Sequence, residues 1–219
     1  YLCYAPELLT SEFAAHLIQE QAARGVLCLA VAAELFADLA EKDNPPGIMA
    51  VVHQPSHSLE QFAPAINPWL VALVAPQDPG NIGTILRTID AVGANGLILL
   101  GQSADPYHPS AVRASMGTIF WYPVVEAEFT GFAAWSARNG YTIYGTSTHA
   151  SQDYQQVKGY RVPRILLMGS ERQGLTPEQA AICHQLLSLP MHGRATSLNL
   201  AVATGVMLYA MLERSGDLV

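Results

Sequence analysis

The chain contains, toward its C-terminal end, the stretch Leu189-Pro190-Met191-His192-Gly193-Arg194-Ala195-Thr196-Ser197-Leu198-Asn199-Leu200-Ala201. Here an apolar strand is predicted to end at the proline, a loop of small and polar residues follows, and a long helix then begins. Unpaired backbone N–H groups at a helix start can hold a ligand. Thr196 or Ser197 can equally serve as an ordinary helix cap. The two interpretations are compatible, because a capped helix start is also a platform for a ligand.

Two earlier stretches have the same character. The first is Asp78-Pro79-Gly80-Asn81-Ile82-Gly83-Thr84-Ile85-Leu86-Arg87-Thr88, directly after the apolar segment 70–74. The second is Leu166-Leu167-Met168-Gly169-Ser170-Glu171-Arg172-Gln173-Gly174-Leu175, at the end of a strand around Ile165. Three such segments in a fixed order are a more specific signal than any one of them.

Composition sets the class of protein. The chain has 219 residues, half of them apolar, enough for one large or two small domains with a sizeable core. No run of about 18 apolar residues predicts a transmembrane span, and no signal peptide is predicted. Three cysteines (Cys3, Cys28, Cys183) without a motif spacing predict free thiols in a reducing compartment, so we expect a cytoplasmic protein. Since a strand is predicted at 1–4 and no initiator Met is present, we expect residues before Tyr1.

The charge is unevenly distributed. The formal net charge is −7, which argues against a generic nucleic-acid binder. Residues 1–60 carry eight acids and two bases, whereas residues 61–219 carry ten acids and nine bases. Four of those bases lie in or near the loops described above: Arg87, Arg113, Arg172 and Arg194. The sequence therefore predicts a local basic site rather than a broad phosphate-binding face.

Hydrophobic periodicity divides the chain into two parts. Residues 1–53 predict a small α/β domain, with strands at 1–4, 26–31 and 48–53 and helices at 6–24 and 32–42. Residues 54–67, with two prolines, are predicted to be a linker. In residues 68–219, strands at 70–74, 96–100, 119–125, 141–146, 164–168 and 186–189 alternate with helices at 81–92, 109–116, 132–138, 177–184 and 197–214. This alternation predicts an α/β fold, a parallel sheet with helices on both faces.

In order and spacing, the three loop segments resemble the three motifs of the SpoU/TrmH branch of the SPOUT superfamily, over roughly residues 68–214. Members of that branch are RNA 2′-O-ribose methyltransferases that use S-adenosylmethionine. The resemblance implies this activity and cofactor, a homodimer, and a deep C-terminal trefoil knot formed by the second and third loops. Residues 1–53 are similar to the end of the N-terminal substrate-binding domain that many members carry.

The resemblance also assigns the site. It implies catalytic roles for Asn81, Arg87, Glu171, Ser197 and Asn199. It places the cofactor against Thr146, Gly169, Leu189, Met191 and Leu198, and RNA against Arg113, Arg172 and Arg194. Taken by themselves, Asn81 and Arg87 are a helix cap followed by an exposed helical arginine, and Glu171 is a solvated loop acid. Arg172 is a candidate partner either for Glu171 or for RNA phosphate.

Arg87 requires a chemical role. The resemblance suggests a general base, yet a guanidinium keeps its proton up to a pKa above about 12. We expect Arg87, on the buried side of its helix, to orient the target nucleotide and stabilise the developing alkoxide. His192 is expected to be an exposed loop residue, although a group that titrates near pH 6.5 would suit a base.

Two further functions stay open beside ribosomal RNA methylation. One is a tRNA ribose methyltransferase, and the other is a non-catalytic RNA- or ribosome-binding dimer with the same fold. Ribosomal RNA is favoured because tRNA enzymes of this branch often lack the N-terminal module. No metal site, nucleoside triphosphate loop or dinucleotide fingerprint is predicted.

Overall fold

A computed structural model describes residues 1–40 and 44–214 of the chain. It forms two compact units, residues 1–55 and residues from 56 onward. Each unit has its own sheet. Within the described residues, no helix is long and apolar enough to cross a membrane.

The first unit is a small α/β structure of three strands and two helices. Its elements are β1 (Leu2–Tyr4), α1 (Glu12–Ala23), β2 (Cys28–Ala30), α2 (Ala33–Ala40) and β3 (Ile48–Ala50). β1 lies in the centre, parallel to β2 and antiparallel to β3. Ser11 starts α1 by accepting a hydrogen bond from the Ala14 backbone. The predicted order of elements is confirmed, while the end of the predicted helix 32–42 lies outside the described residues.

The second unit contains a seven-stranded sheet. Its elements are β4 (Trp69–Val74), α3 (Pro79–Val92), β5 (Leu97–Leu100), α4 (Pro109–Ala114), β6 (Val124–Ala127), α5 (Phe129–Arg138), β7 (Thr142–Thr146), β8 (Gln152–Asp153), β9 (Arg164–Met168), α6 (Pro177–Ala181), β10 (Gln185–Ser188) and α7 (Leu200–Glu213). The strand order is β6-β5-β4-β9-β7-β10-β8, and all neighbouring strands are parallel. The predicted parallel α/β sheet is confirmed.

Helices cover both faces of this sheet, as predicted. β4 is buried along its whole length, so its side chains alternate between two cores. Val71 and Leu73 join a cluster with residues of α3 and α7. Leu70 and Ala72 join the opposite cluster, which includes Phe132 of α5. Burial on both sides explains why β4 is a continuous apolar run without alternation.

Several predicted elements differ from the structure; the predicted helix 6–24 begins only at Glu12, and the predicted helix 177–184 ends at Ala181. The predicted strand 119–125 is a 3-10 turn at Thr118–Phe120 followed by β6, because Met116 and Gly117 both take positive φ and turn the chain first. The two-residue strand β8 carries too little periodicity to be predicted. The predicted helix 197–214 begins only at Leu200, for a reason given by its cap below.

The predicted linker 54–67 also contains packed residues. A 3-10 turn at Leu59–Gln61 places Leu59 and the following Phe62 in the second unit's core. The Phe62 ring lies 6.3 Å from the Trp135 ring, centroid to centroid. These two side chains anchor the start of the second unit against α5.

Candidate active site at the carboxyl ends of the strands

A cavity of about 400 Å³ opens at one edge of the second sheet, where β7, β9 and β10 end. In a parallel sheet the carboxyl ends of all strands meet at one edge, which is where ligands usually bind. The cavity is lined by all five residues expected to hold the cofactor: Thr146, Gly169, Leu189, Met191 and Leu198. Glu171, Arg172 and Ser197 line it as well. Residues of the stretches 166–175 and 189–201 and of the end of β7 therefore lie around one space.

The loop after β9 is held in a tight shape. The backbones of Ser170 and Gly174 exchange hydrogen bonds of 3.1 and 2.9 Å, and the Ser170 hydroxyl accepts from the Gln173 N–H. Gly169 lies directly against the backbone of Gly174 and Leu175, at a separation that leaves no room for a Cβ. The sequence therefore needs glycine at residue 169 for a steric reason.

A chain of hydrogen bonds joins the three loops. The Asn199 side-chain amide donates to Oδ1 of Asn81 at 3.0 Å, and the Asn81 amide donates to Oε1 of Glu171 at 3.4 Å. The backbone N–H of Gln77 approaches both carboxylate oxygens of Glu171 at 3.4 Å. These hydrogen bonds tie Glu171 to Asn81 and Gln77, and within the described residues no ion pair joins Glu171 to Arg172.

The start of α3 corrects one interpretation of Asn81. Asp78 is the helix cap, and its carboxylate accepts from the Gly80 N–H at 2.8 Å. Asn81 lies in the first turn, 7% exposed, so its side chain is free to bond with Glu171 and Asn199. The interpretation of Asn81 as the cap is wrong because Asp78 already fills that position ahead of Pro79.

The start of α7 corrects another interpretation, that of Thr196 or Ser197 as the helix cap. The cap is Asn199, whose Oδ1 accepts from the N–H groups of Ala201 and Val202. Thr196 and Ser197 are not caps; they lie in the cavity wall. The side-chain oxygen of Asn199 accepts from the helix backbone while its NH2 group donates to Asn81, so one side chain makes both contacts.

The arginines lie on the surface around this region. Arg87 is exposed on α3, which corrects the expectation of a buried-side residue, and it does not line the cavity. The buried stripe of α3 is occupied by apolar residues instead, among them Ile82 and Leu86. Arg113 in the last turn of α4, Arg172 and Arg194 are also exposed. His192 is an exposed loop residue, as expected.

Some contributors to the site were not predicted. Gln77 acts through its backbone N–H, and its side chain donates to the carbonyls of Ala75 and Gln102 at 2.9 and 3.0 Å. Such backbone roles leave no side-chain pattern in a sequence. The Met168 sulfur, which accepts from the Thr146 hydroxyl at 3.5 Å, was hidden in an apolar strand.

The cavity can bind a partly apolar ligand, and the polar side chains at its mouth can contact a second, polar group. The walls combine apolar side chains such as Leu187 and Leu200 with hydroxyl groups and loop backbone. Among residues 1–40 and 44–214, no group of three or more metal-ligating side chains lies together. An all-parallel sheet with a ligand cavity at its carboxyl edge defines an α/β protein of the small-molecule-binding class.

Comparison with known proteins gives the family. Residues 68–209 match the SpoU rRNA Methylase family, and the chain belongs to that family. It is 37% identical to the 23S rRNA (uridine(2479)-2′-O)-methyltransferase of Streptomyces viridochromogenes over 194 residues, 85% of this chain and 67% of the relative. It is 31% identical to the 23S rRNA (guanosine(2553)-2′-O)-methyltransferase RlmP of Bacillus subtilis (strain 168), covering 84% of this chain and 72% of the relative.

A solved structure shows the same fold. The AdoMet-bound rRNA methyltransferase from Sinorhizobium meliloti superposes with a TM-score of 0.88 at 36% identity. The match covers 97% of this chain and 78% of that protein, so it extends through both units. The predicted family, its SPOUT-type α/β fold and its class of activity are confirmed.

Proposed function

We propose that this chain transfers a methyl group from S-adenosylmethionine to a ribose 2′-hydroxyl of ribosomal RNA. The observation that carries the proposal is the cavity whose wall includes Glu171, together with the hydrogen bonds that link Glu171 to Asn81 and Asn81 to Asn199. The named relatives modify 23S rRNA at this position of the ribose. Ribosomal RNA is favoured over tRNA because the similarity to these enzymes continues beyond the second unit.

The cavity fits S-adenosylmethionine. Its volume, about 400 Å³, is within the usual range for small-molecule sites, roughly 300–1,000 Å³. Leu189, Met191 and Leu198 provide apolar contact suited to an adenine ring, and Thr146 with the loop backbone provides polar contacts. When bound, S-adenosylmethionine supplies an electrophilic methyl group on a sulfonium.

The residues at the mouth would position the ribose. The 2′-oxygen forms a bond to the methyl carbon as the carbon–sulfur bond breaks, which leaves S-adenosylhomocysteine, and the hydroxyl proton passes to water. Glu171 is fixed by Gln77 and Asn81, so its carboxylate holds a set orientation beside Ser197 and Asn199. Arg87 remains cationic and stabilises the negative charge that develops on the 2′-oxygen.

A homodimer would bring Arg87 to the reaction. Arg87 lies outside its own cavity, on an exposed face of α3. α3 packs against α7, which exposes Val202 and Tyr209 on its outer side. Exposed apolar residues beside an exposed arginine support a dimer in which Arg87 enters the partner's site. We further propose that the loops around residues 169–175 and 189–199 form the trefoil knot of this superfamily.

The proposal includes a cellular setting and a division of the chain. The proposed setting is the cytoplasm, a reducing compartment that suits the three free thiols of Cys3, Cys28 and Cys183. Burial raises the pKa of the Cys183 thiol to about 11, which keeps it protonated. Residues 1–53 would contribute to RNA binding, and the methyltransferase domain would comprise residues 68–219.

The test is methyl transfer from radiolabelled S-adenosylmethionine to a 23S rRNA transcript. Alkaline hydrolysis of the product locates the label, since a 2′-O-methyl group removes the nucleophile that cleaves the adjoining phosphodiester. Label recovered in an alkali-resistant dinucleotide supports the proposal. Label recovered in single nucleotides, preference for tRNA, or no transfer by a folded protein that binds RNA would overturn it.

A further inference from the structure

An exposed apolar surface lies outside the cavity, in the segment that connects α4 to β6. It consists of Met116, Phe120 and Trp121, which are 70%, 58% and 63% exposed. We name these three residues the Trp121 patch. Exposed large apolar side chains in a cluster mark interaction surfaces more often than isolated ones do. Nothing in the proposed reaction uses these residues.

The backbone conformation of the turn before Trp121 positions this patch. Met116 has φ 52 and Gly117 has φ 96, so two successive residues take the left-handed conformation before the 3-10 turn. The outer edge of the Trp121 ring lies against Gly117, with Cη2 and Cζ3 at 3.2 and 3.4 Å from the place a Cβ would occupy. A non-glycine residue with positive φ is uncommon and points to function more often than chance. The turn supports the indole while leaving most of it in solvent.

Helical spacing places Arg87 beside this patch. On α3, Gly83 packs against the end of α4, 2.9 Å from the Ser115 nitrogen as measured from its ideal Cβ position. α3 also packs against the 3-10 turn Thr118–Phe120, which carries Phe120 of the patch. Arg87 lies one helical turn after Gly83 on the same side of α3, because residues three and four apart share a face. The patch and the arginine are therefore neighbours.

The charges around the patch favour an anionic partner. Arg87 on α3 and Arg113 on α4 are both exposed. Within the described residues the one ion pair is Arg24–Glu20, so neither Arg87 nor Arg113 is paired with an acid. The acid on α3 is Asp90; burial, and then this carboxyl, raise the pKa of Tyr122. An exposed indole in a turn that packs against α3, with an exposed arginine on α3 and another on the preceding helix α4, suits a ligand with flat rings and phosphates.

We propose that the Trp121 patch stacks an unpaired RNA base next to the nucleotide that is methylated. A ribose inside a stacked helix is poorly accessible, and RNA-binding proteins commonly hold splayed bases on aromatic side chains. Arg113 would contact the adjoining phosphate, while Arg87 faces the ribose that is methylated. The inference rests on the proposed function, because it names how that substrate is held, and it commits to RNA rather than to a protein partner.

Tryptophan fluorescence provides a direct test. Trp69 and Trp135 are buried, at 5% and 3% exposure, so solvent-exposed emission comes from Trp121. Titration of the full chain with a short single-stranded oligoadenylate should quench this emission. Trp121→Ala should remove the quenching and weaken RNA binding about tenfold. Trp121→Phe, which keeps a ring, should restore most of the affinity without restoring the quenching. Ile66→Ala, at another exposed apolar position, should change neither.

Two results would overturn the inference. One is RNA binding by Trp121→Ala with unchanged affinity. The other is a change from dimer to monomer in Trp121→Ala by sedimentation, which would show that a second copy of the chain covers the patch. Failure here is separable from failure of the proposed function. If the wild-type chain methylates 23S rRNA but shows no quenching, only the stacking inference is wrong; if it binds and quenches but transfers no methyl group, only the proposed activity is wrong.

Discussion

The side chain of Asn199 donates to Asn81 across 118 residues of sequence, at 3.0 Å. This bond joins the cap of α7 to the first turn of α3. Since Asn81 in turn holds Glu171, one side chain connects helix stability with the geometry of the candidate active site.

Two substitutions at Asn199 separate these roles. Asn199→Ala removes the cap and the bond to Asn81, so we expect a loss of about 1 kcal/mol in unfolding free energy together with loss of methyl transfer. Asn199→Asp keeps an acceptor for the helix N–H groups but cannot donate to Asn81. It should retain stability in urea unfolding and still lose activity. An active Asn199→Asp enzyme would show that the bond to Asn81 is dispensable.

Leu198 tests the cofactor site. Leu198→Arg puts a charged side chain into the cavity wall, so calorimetric titration with S-adenosylmethionine or S-adenosylhomocysteine should detect no binding. The wild-type chain should bind one molecule per subunit. Leu35→Arg, at an exposed position on α2 of the other unit, is the matched control and should bind normally. Normal binding by Leu198→Arg would place the cofactor elsewhere.

Gly169 tests the shape of the loop after β9. In Gly169→Ala the new methyl group meets the backbone of Gly174 and Leu175, which cannot rotate away. We expect a loss of about 1–3 kcal/mol in unfolding free energy and weaker cofactor binding. Gly193→Ala, in the loop before α7, meets nothing within 4 Å and should behave as wild type. Equal stability of the two variants by thermal unfolding would contradict the packing described.

Arg87 tests the chemistry. Because Arg87 is exposed, Arg87→Ala should change the unfolding free energy by less than about 0.5 kcal/mol and leave cofactor affinity intact. Its kcat should fall sharply. Arg87→Lys should not rescue it, since an ammonium lacks the planar fork of a guanidinium. Arg138→Lys, an exposed arginine on α5, is the control. Near-normal turnover by Arg87→Lys would exclude a role that depends on the fork.

The dimer is tested by Tyr209→Arg and by complementation. The substitution places a charge on the exposed face of α7 and should yield monomers in sedimentation. If Arg87 serves the partner's cavity, a mixture of Arg87→Ala and Leu198→Arg subunits should recover activity. Each heterodimer then has one intact site, so an equal mixture reaches about a quarter of wild-type activity. No recovery after verified subunit exchange would place Arg87 in its own subunit's site.

Sequence patterns predicted the secondary-structure elements most accurately where one physical rule dominates. The strand 164–168 was predicted exactly, because buried parallel strands are apolar runs with clear ends. The segment 119–125 was not, because consecutive positive φ values at Met116 and Gly117 override its β-branched content. The cavity residues came from the family resemblance. The contact of the Gln77 N–H with Glu171 could not be predicted from the sequence, because nearly every residue has a backbone N–H.

The orientation of Arg87 on α3 is another feature that the sequence did not predict. The pattern around Ile82 and Leu86 predicts a helix with an apolar face, and the structure has one. Each residue turns the helix by about 100°, so a shift of one or two positions decides whether an arginine faces a core or solvent. Sequence reasoning placed Arg87 in the right helix but expected it to be buried, whereas it is exposed.

The bond between Asn199 and Asn81 has a consequence during synthesis. β4 and α3 leave the ribosome long before α7, so the first and third loops meet only after the intervening chain has been made. Until α7 docks, Asn81 lacks its partner and the cavity lacks the wall formed by Leu198 and Leu200. Contacts so distant in sequence form late and slowly. A nascent or truncated chain therefore cannot capture the methyl donor, and cofactor binding becomes a direct readout of completed folding.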